Sequence, residues 1–210
     1  MEDGTNKSFW ERTAKIYAPF MKSNKKLYKE ICDYIRPHMT PELSMLELGT
    51  GPGILALSLA DTGVFITATD YSEKMIAEAK EHMTLDNVHF EVADATALTY
   101  ADNSFDIVLI ANALHIMPHP EKALSEIYRV LRPDGLLIAP TFIHGPGAKF
   151  KLRSSLMELI GFHVYYKWND KQLSDFIATH GFKIIKCHTI GSTIAPLAYI
   201  EAQKDLTYKA

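Results

Sequence analysis

The chain has 210 residues, 47% of them hydrophobic, and a formal net charge of −3. That is enough apolar material for the core of one α/β domain, and the acidic balance argues against a general nucleic-acid binder, whose footprint is a basic surface. Cys32 and Cys187 stand far apart in no metal-ligand spacing, which fits a reducing cytoplasm; no apolar stretch of the kind a secretory signal needs precedes Phe9, and the longest apolar run, Phe105 to Met117, is broken by Asp106, Asn112 and His115 and is too short to span a bilayer.

From the N-terminus, Ser8 to Arg36 predicts two helices. Phe9, Ile16, Tyr17, Phe20 and Met21 supply the apolar set of the first, and Leu27, Ile31, Tyr34 and Ile35 that of the second, which Pro37 ends. Lys22, Lys25, Lys26 and Lys29 fall at helical spacing and read as a solvated face. From Ser44 onward strand and helix signals alternate, as in a mostly parallel sheet covered by helices on both faces.

The first strand, Met45-Leu46-Glu47-Leu48, runs into Gly49-Thr50-Gly51-Pro52-Gly53 and then an apolar helix. Three glycines at alternate positions after a strand permit positive φ and put no Cβ in the way of a ligand. Glu47 is a charged group in a strand that should be buried on both faces, which is costly unless a partner such as a bound ammonium group is supplied. Val64 to Asp70 reads as the second strand and ends in a carboxylate about 20 residues after the first glycine, where it can accept from two ribose hydroxyls. The competing reading of Asp70 is a cap for the following helix.

Val88 to Val92 is the third strand and leads into Ala93-Asp94-Ala95, where a turn-forming aspartate is the plainer alternative. Phe105 to Ile110 is the fourth, with Asn112 and His115 in the loop beyond it. Arg129 to Ile138 carries a helix end, a turn whose bend Gly135 is expected to provide, and the fifth strand. Thr141 to Tyr166 departs from alternation, with His144-Gly145-Pro146-Gly147 as a hinge-like loop and Lys151 to Ile160 as an amphipathic helix. Trp168-Asn169-Asp170 opens a helix to about His180, capped by Asn169 or Asp170, and 181–185 and 194–200 are the last strands.

A dinucleotide site would place its third glycine at position 54, where this chain has Ile54. Glu47-x-Gly49-x-Gly51-x-Gly53 instead resembles motif I of the class I S-adenosylmethionine-dependent methyltransferases. With Asp70, Ala93-Asp94-Ala95, 105–115 and 129–138, the resemblance runs over residues 45–141. It implies a Rossmann-like three-layer sandwich on a seven-stranded, mostly parallel sheet of order 3-2-1-4-5-7-6 with the last strand antiparallel. It also implies S-adenosylmethionine as cofactor and the small-molecule, quinone-biosynthesis type of enzyme. The implied cofactor contacts are Glu47, Gly49, Thr50, Gly51 and Gly53 in the glycine turn, Asp70 at the ribose, and Asp94 and Ala95 at the adenine. Tyr71, Met75, Asn112 and Tyr17 of an N-terminal lid helix complete the set. One domain over 1–210 is expected, with 8–36 as lid, 44–141 as cofactor-binding core, 142–167 as acceptor-side cover and 168–203 as final helix and strands.

A sulfonium is an activated methyl donor, so positioning and exclusion of water can carry most of the catalysis. Where the acceptor needs a base, His115 is the best-placed candidate, with a hydrogen-bonded loop histidine as the alternative; His144 and His163 are weaker. No His, Asp or Glu spacing suggests a metal, and none is expected. Tyr17, Phe20, Phe142, Phe150, Phe162, Tyr165, Tyr166 and Trp168 lie in segments expected to fold over the pocket and favour a small, partly apolar or aromatic acceptor. Neither a nucleic-acid partner nor stable membrane insertion is expected, and monomer and homodimer both stay open. A nicotinamide oxidoreductase and a non-catalytic cofactor-binding scaffold are the rival functions.

Overall fold

Near-continuous apolar runs form strands that a parallel sheet can bury on both faces. In the computed structural model β1 (Ser44–Leu48), β2 (Phe65–Asp70) and β4 (Phe105–Ile110) are buried along almost their whole lengths. The structure describes residues 4–22, 24–81, 85–143, 163–192 and 195–208, and the side chains of these except at 4, 5, 16–22 and 195. Helices α1 (Gly4–Lys22) and α2 (Lys25–Ile35) precede β1; α3 (Ile54–Leu59), α4 (Glu73–Glu81) and α5 (Pro120–Val130) follow β1, β2 and β4. The remaining elements are β3 (Val88–Val92), β5 (Leu131–Ile138), β6 (Thr141–Phe142), α6 (Asp170–Ala178), β7 (Phe182–Ser192) and β8 (Ala195–Lys204). The expected hinge loop and helix at 151–160 lie outside the described residues, and among those described no helix is long and apolar enough to cross a membrane.

Strands β3, β2, β1, β4 and β5 are parallel in that spatial order, and β8 runs antiparallel between β5 and β7. The two-residue β6 continues the track of β5. Ile138 pairs with Glu201 and Thr141 with Ala198, the same step along both strands, across a gap at Pro140, which has no N–H to offer. With β5 and β6 counted as one strand the order is the expected 3-2-1-4-5-7-6, its last strand antiparallel.

Each face has its own core. Ile31 and Ile35 of α2, Leu55 and Leu59 of α3, and Ile76 of α4 cover Met45, Ile66 and Leu109. Leu124 and Ile127 of α5, with Leu173 and Ile177 of α6, cover Leu46, Leu48 and Val108. Asn169, not Asp170, caps α6: its Oδ1 accepts from Gln172 N at 2.8 Å while Gln172 Oε1 accepts from Asn169 N at 3.0 Å, a reciprocal capping box. Pro37 sits inside a 3₁₀ turn, Arg36–His38, that prolongs α2.

The entry to β5 corrects one expectation. Phe105 pairs with Leu131 but Ile107 with Leu136, so β5 bulges between them. The left-handed residue of that bulge is Asp134 (φ 63°), not Gly135. Gly135 is needed for space, because a Cβ there would lie 2.8 Å from both Arg132 O and Leu131 Cδ2. Gly135→Ala is therefore expected to cost about 1–3 kcal/mol, whereas Asp134→Gly should stay within about 1 kcal/mol of the parent protein. A Gly135→Ala denaturant midpoint equal to the parent's would show that contact does not limit this turn.

Candidate functional site

The chain leaves β1 through a turn in which Gly49, Gly51 and Gly53 all have positive φ, at 71°, 55° and 79°. At two of the three a side chain is also excluded by space. A Cβ on Gly49 would meet Ala113 Cβ at 3.0 Å, and one on Gly53 would meet Phe90 Cζ at 2.6 Å. The turn is thus wedged between the loop after β4 and a ring of β3, and Gly53 forms the entry to α3. Thr50 N donates to Thr69 O at 2.8 Å and ties the turn to β2.

Asp70, at the end of β2, joins two turns. Its Oδ2 accepts from Gly51 N at 2.9 Å and its Oδ1 from Ser72 N at 2.8 Å. Capping of α4 falls to Ser72, whose hydroxyl accepts from Met75 N at 3.3 Å. The helix-cap reading of Asp70 is thereby set aside: the carboxylate holds the glycine turn against the exit of β2, with lone pairs remaining for further donors. Burial raises its pKa, the Ser72 and Gly51 N–H groups oppose the rise, and the charge of Glu11 adds to it.

Glu47 is 1% exposed in the central strand, and its Oε2 has no hydrogen-bond partner among the described residues. Burial pushes its carboxyl up to about 7; the Thr50 hydroxyl and the Ala56 backbone N–H pull it down, and the Asp70 charge pushes it further up. An orphaned buried carboxylate oxygen beside a glycine turn matches an amino acid ammonium in charge and in chemistry. The residues present therefore fit S-adenosylmethionine.

The other anticipated residues fall into two groups. Asp94 Oδ1 accepts from Thr96 N at 2.8 Å and from Thr96 Oγ1 at 2.7 Å, a local turn that fixes the carboxylate at the end of β3, and Ala95 is buried next to it. Tyr71 is 44% exposed under the ammonium of Lys7, 4.3 Å from the ring centroid, while Met75 is buried in α4. Asn112 is left-handed (φ 54°) and spends its side-chain oxygen on Phe142 N at 3.0 Å, which leaves the amide nitrogen as its side-chain donor toward a ligand. His115 is buried in a 3₁₀ turn, Leu114–Ile116, just past β4. The Tyr17 side chain and His144 lie outside the description, and His163 is exposed at the end of the acceptor-side segment.

Two residues of α1 that the sequence did not flag bond to the loops around the glycine turn. Glu11 of α1 accepts from Ser72 Oγ at 2.9 Å, and Asn6 bonds the loop after β4. Polar residues on an N-terminal helix carry no sequence signal for partners more than 60 positions away.

Residues 46–139 match the family model described as a methyltransferase domain. A ubiquinone/menaquinone biosynthesis C-methyltransferase of Rickettsia bellii is 33% identical over 154 residues, 69% of this chain and 58% of the relative. The chain belongs to the class I S-adenosylmethionine-dependent methyltransferases. A demethylmenaquinone methyltransferase of Renibacterium salmoninarum is 36% identical over 111 residues, 53% of this chain and 46% of that protein, so the chain spans about half the length of the curated relatives it matches. The fold extends further than these alignments. A SAM-dependent methyltransferase structure from Thermotoga maritima superimposes with a TM-score of 0.75 over 94% of this chain and 99% of its own, at 21% identity.

The raised carboxyl of this methyltransferase has a measurable consequence. Because the folded pKa of Glu47 lies above its ordinary value of 4.5, folding takes up a proton between those values, and the ligand-free protein loses stability as pH rises through that window. The loss levels off above pH 7 at about 3 kcal/mol. Glu47→Gln is expected to remove that decline from denaturation curves taken at about pH 5 and about pH 8. An unchanged decline would assign the pH dependence to other groups.

Proposed function

We propose that the protein transfers a methyl group from S-adenosylmethionine to a small acceptor carrying a hydroxylated aromatic ring, of the quinol type. The observation that carries this reading is the buried, unpartnered Glu47 Oε2 set against three left-handed glycines. The relatives named for menaquinone and ubiquinone biosynthesis support the acceptor class. When bound, the sulfonium supplies an activated methyl group, so in-line placement and a dry site are what the protein must contribute.

Glu47 and the glycine turn would hold the amino acid end, Asp70 the ribose hydroxyls, and Asp94 with the Ala95 N–H the adenine edge. Thr50, Tyr71 and Met75 would frame this half of the pocket, and α1, including Tyr17, would close it from solvent. His115, past the end of β4, would accept the proton that the acceptor hydroxyl gives up as the ring becomes nucleophilic. Fixing that histidine on a buried turn supports this role, since a base must meet the acceptor at hydrogen-bond distance.

Removing the Asp70 carboxylate forfeits charge-assisted bonds worth about 1.5–3 kcal/mol each, so Asp70→Ala should weaken S-adenosylhomocysteine binding by at least about tenfold in calorimetry. His115→Ala should leave that affinity intact and lower kcat about 100-fold for transfer of labelled methyl to demethylated quinols. Equal affinity of Asp70→Ala and parent would overturn the ribose assignment. Thermal stabilisation by NAD but not by S-adenosylhomocysteine would turn the reading toward an oxidoreductase.

A further inference from the structure

Helix α1 is tied to the two halves of the site by different residues. Lys7 and Glu11, four residues apart, share one helix face. Lys7 Nζ lies over the Tyr71 ring, and Glu11 accepts from Ser72 Oγ with its other oxygen 3.9 Å from Lys74 Nζ. These contacts converge on the turn that follows Asp70. Asn6 points away from that face. Its Nδ2 donates to Ile116 O at 2.8 Å and to His163 O at 3.0 Å, and its Oδ1 accepts from His163 N at 2.9 Å.

An asparagine in the first turn of a helix ordinarily serves local backbone groups. Asn6 instead engages both backbone groups of a residue 157 positions away and a carbonyl 110 positions away. The two loops it joins are also bonded to each other, since Tyr165 N and Tyr166 N both donate to His115 O, at 3.0 and 3.1 Å. One amide side chain therefore links the cofactor-side cover, the turn that carries His115 and the segment that follows it on the acceptor side.

We infer that Asn6 is a positioning residue: it couples closure of α1 over the cofactor to the placement of the His115 turn and of Tyr165 and Tyr166 at the acceptor site. The inference rests on the methyltransferase reading. Because Lys7, Glu11 and Asn6 ride on one rigid helix, the contacts at the Asp70 turn and those at Ile116 and His163 form together. Binding of the donor then prepares the acceptor half of the pocket before the acceptor arrives.

Hydrogen exchange on the full chain tests this with S-adenosylhomocysteine as probe. In the parent protein the probe is expected to slow the Tyr165 and Tyr166 amides. In Asn6→Ala its calorimetric affinity should stay within about threefold while the slowing is lost, so that these amides exchange about tenfold faster in the complex. With quinol acceptor, kcat/KM should fall while the KM for the donor holds. Should Asn6→Ala fail to fold, Asn6→Asp, which keeps the acceptor for His163 N and loses both donors, gives the same readouts. Slowing of equal size in parent and variant, or affinity lost in step with the slowing, overturns the coupling. A parent protein that does not bind S-adenosylhomocysteine overturns the methyltransferase reading instead.

Discussion

A single carboxylate, that of Asp70, receives N–H groups from the turn after β1 and the turn after β2, and the cofactor end of the sheet is organised around it. Charge-assisted bonds of this kind are short and directional, so they fix the spacing of the two turns. Because Asp70 is committed to that task, α4 is capped by Ser72, and the Ser72 hydroxyl accepts from Met75 N while donating to Glu11. The docking of α1 on the turn after β2 thus descends from the bond network of one acid on β2. Lose that carboxylate and the glycine turn, the cap of α4 and the latch of the N-terminal helix all lose a neighbour.

The same acid sharpens the electrostatics of Glu47, whose pKa it helps to raise. A buried carboxyl on β1 and a partly buried one at the end of the adjacent parallel β2 repel, and among the described residues neither has a cationic side chain against it. Such a site is poised for a ligand that brings its own positive charge, since the ammonium relieves a cost that folding has already incurred. The sulfonium, a second positive centre, enters the same negative field. Solvation strain in the ligand-free state and affinity in the bound state are here two expressions of one charge arrangement.

Much of this was readable in the linear sequence because the donor half is built from short-range features. Glycine spacing, an acid at the end of the next strand and alternating apolar runs are set by backbone geometry and periodicity, and they carried the family resemblance that implied the strand order and the cofactor. Reading failed where a residue's role depends on a neighbour that sequence does not reveal. Gly135 was expected to supply a bend, yet Asp134 takes the left-handed conformation and Gly135 answers to the atoms of Leu131, Arg132 and Asp106. Asn112 uses its side-chain oxygen to hold Phe142 across the break in β5 and β6, a contact that sequence does not reveal. Asn6 and Glu11 find their partners by chain folding alone.

That contrast bears on where acceptor choice resides. The family match covers 46–139, a stretch that contains the glycine turn, Asp70, Asp94 and His115. Asn6, Phe142, Tyr165 and Tyr166, all outside it, each bond to the loop after β4 that lies inside it, and His163 joins them through Asn6. On the proposed reading the donor contacts fall mainly within that contiguous stretch, with Tyr17 of α1 added from outside it. Acceptor recognition, on that reading, would depend on bonds between the matched core and the segments that flank it. On that reading, changes in the flanks would redirect the same methyl donor to a different acceptor while the strand ends proposed to hold the cofactor stay as they are.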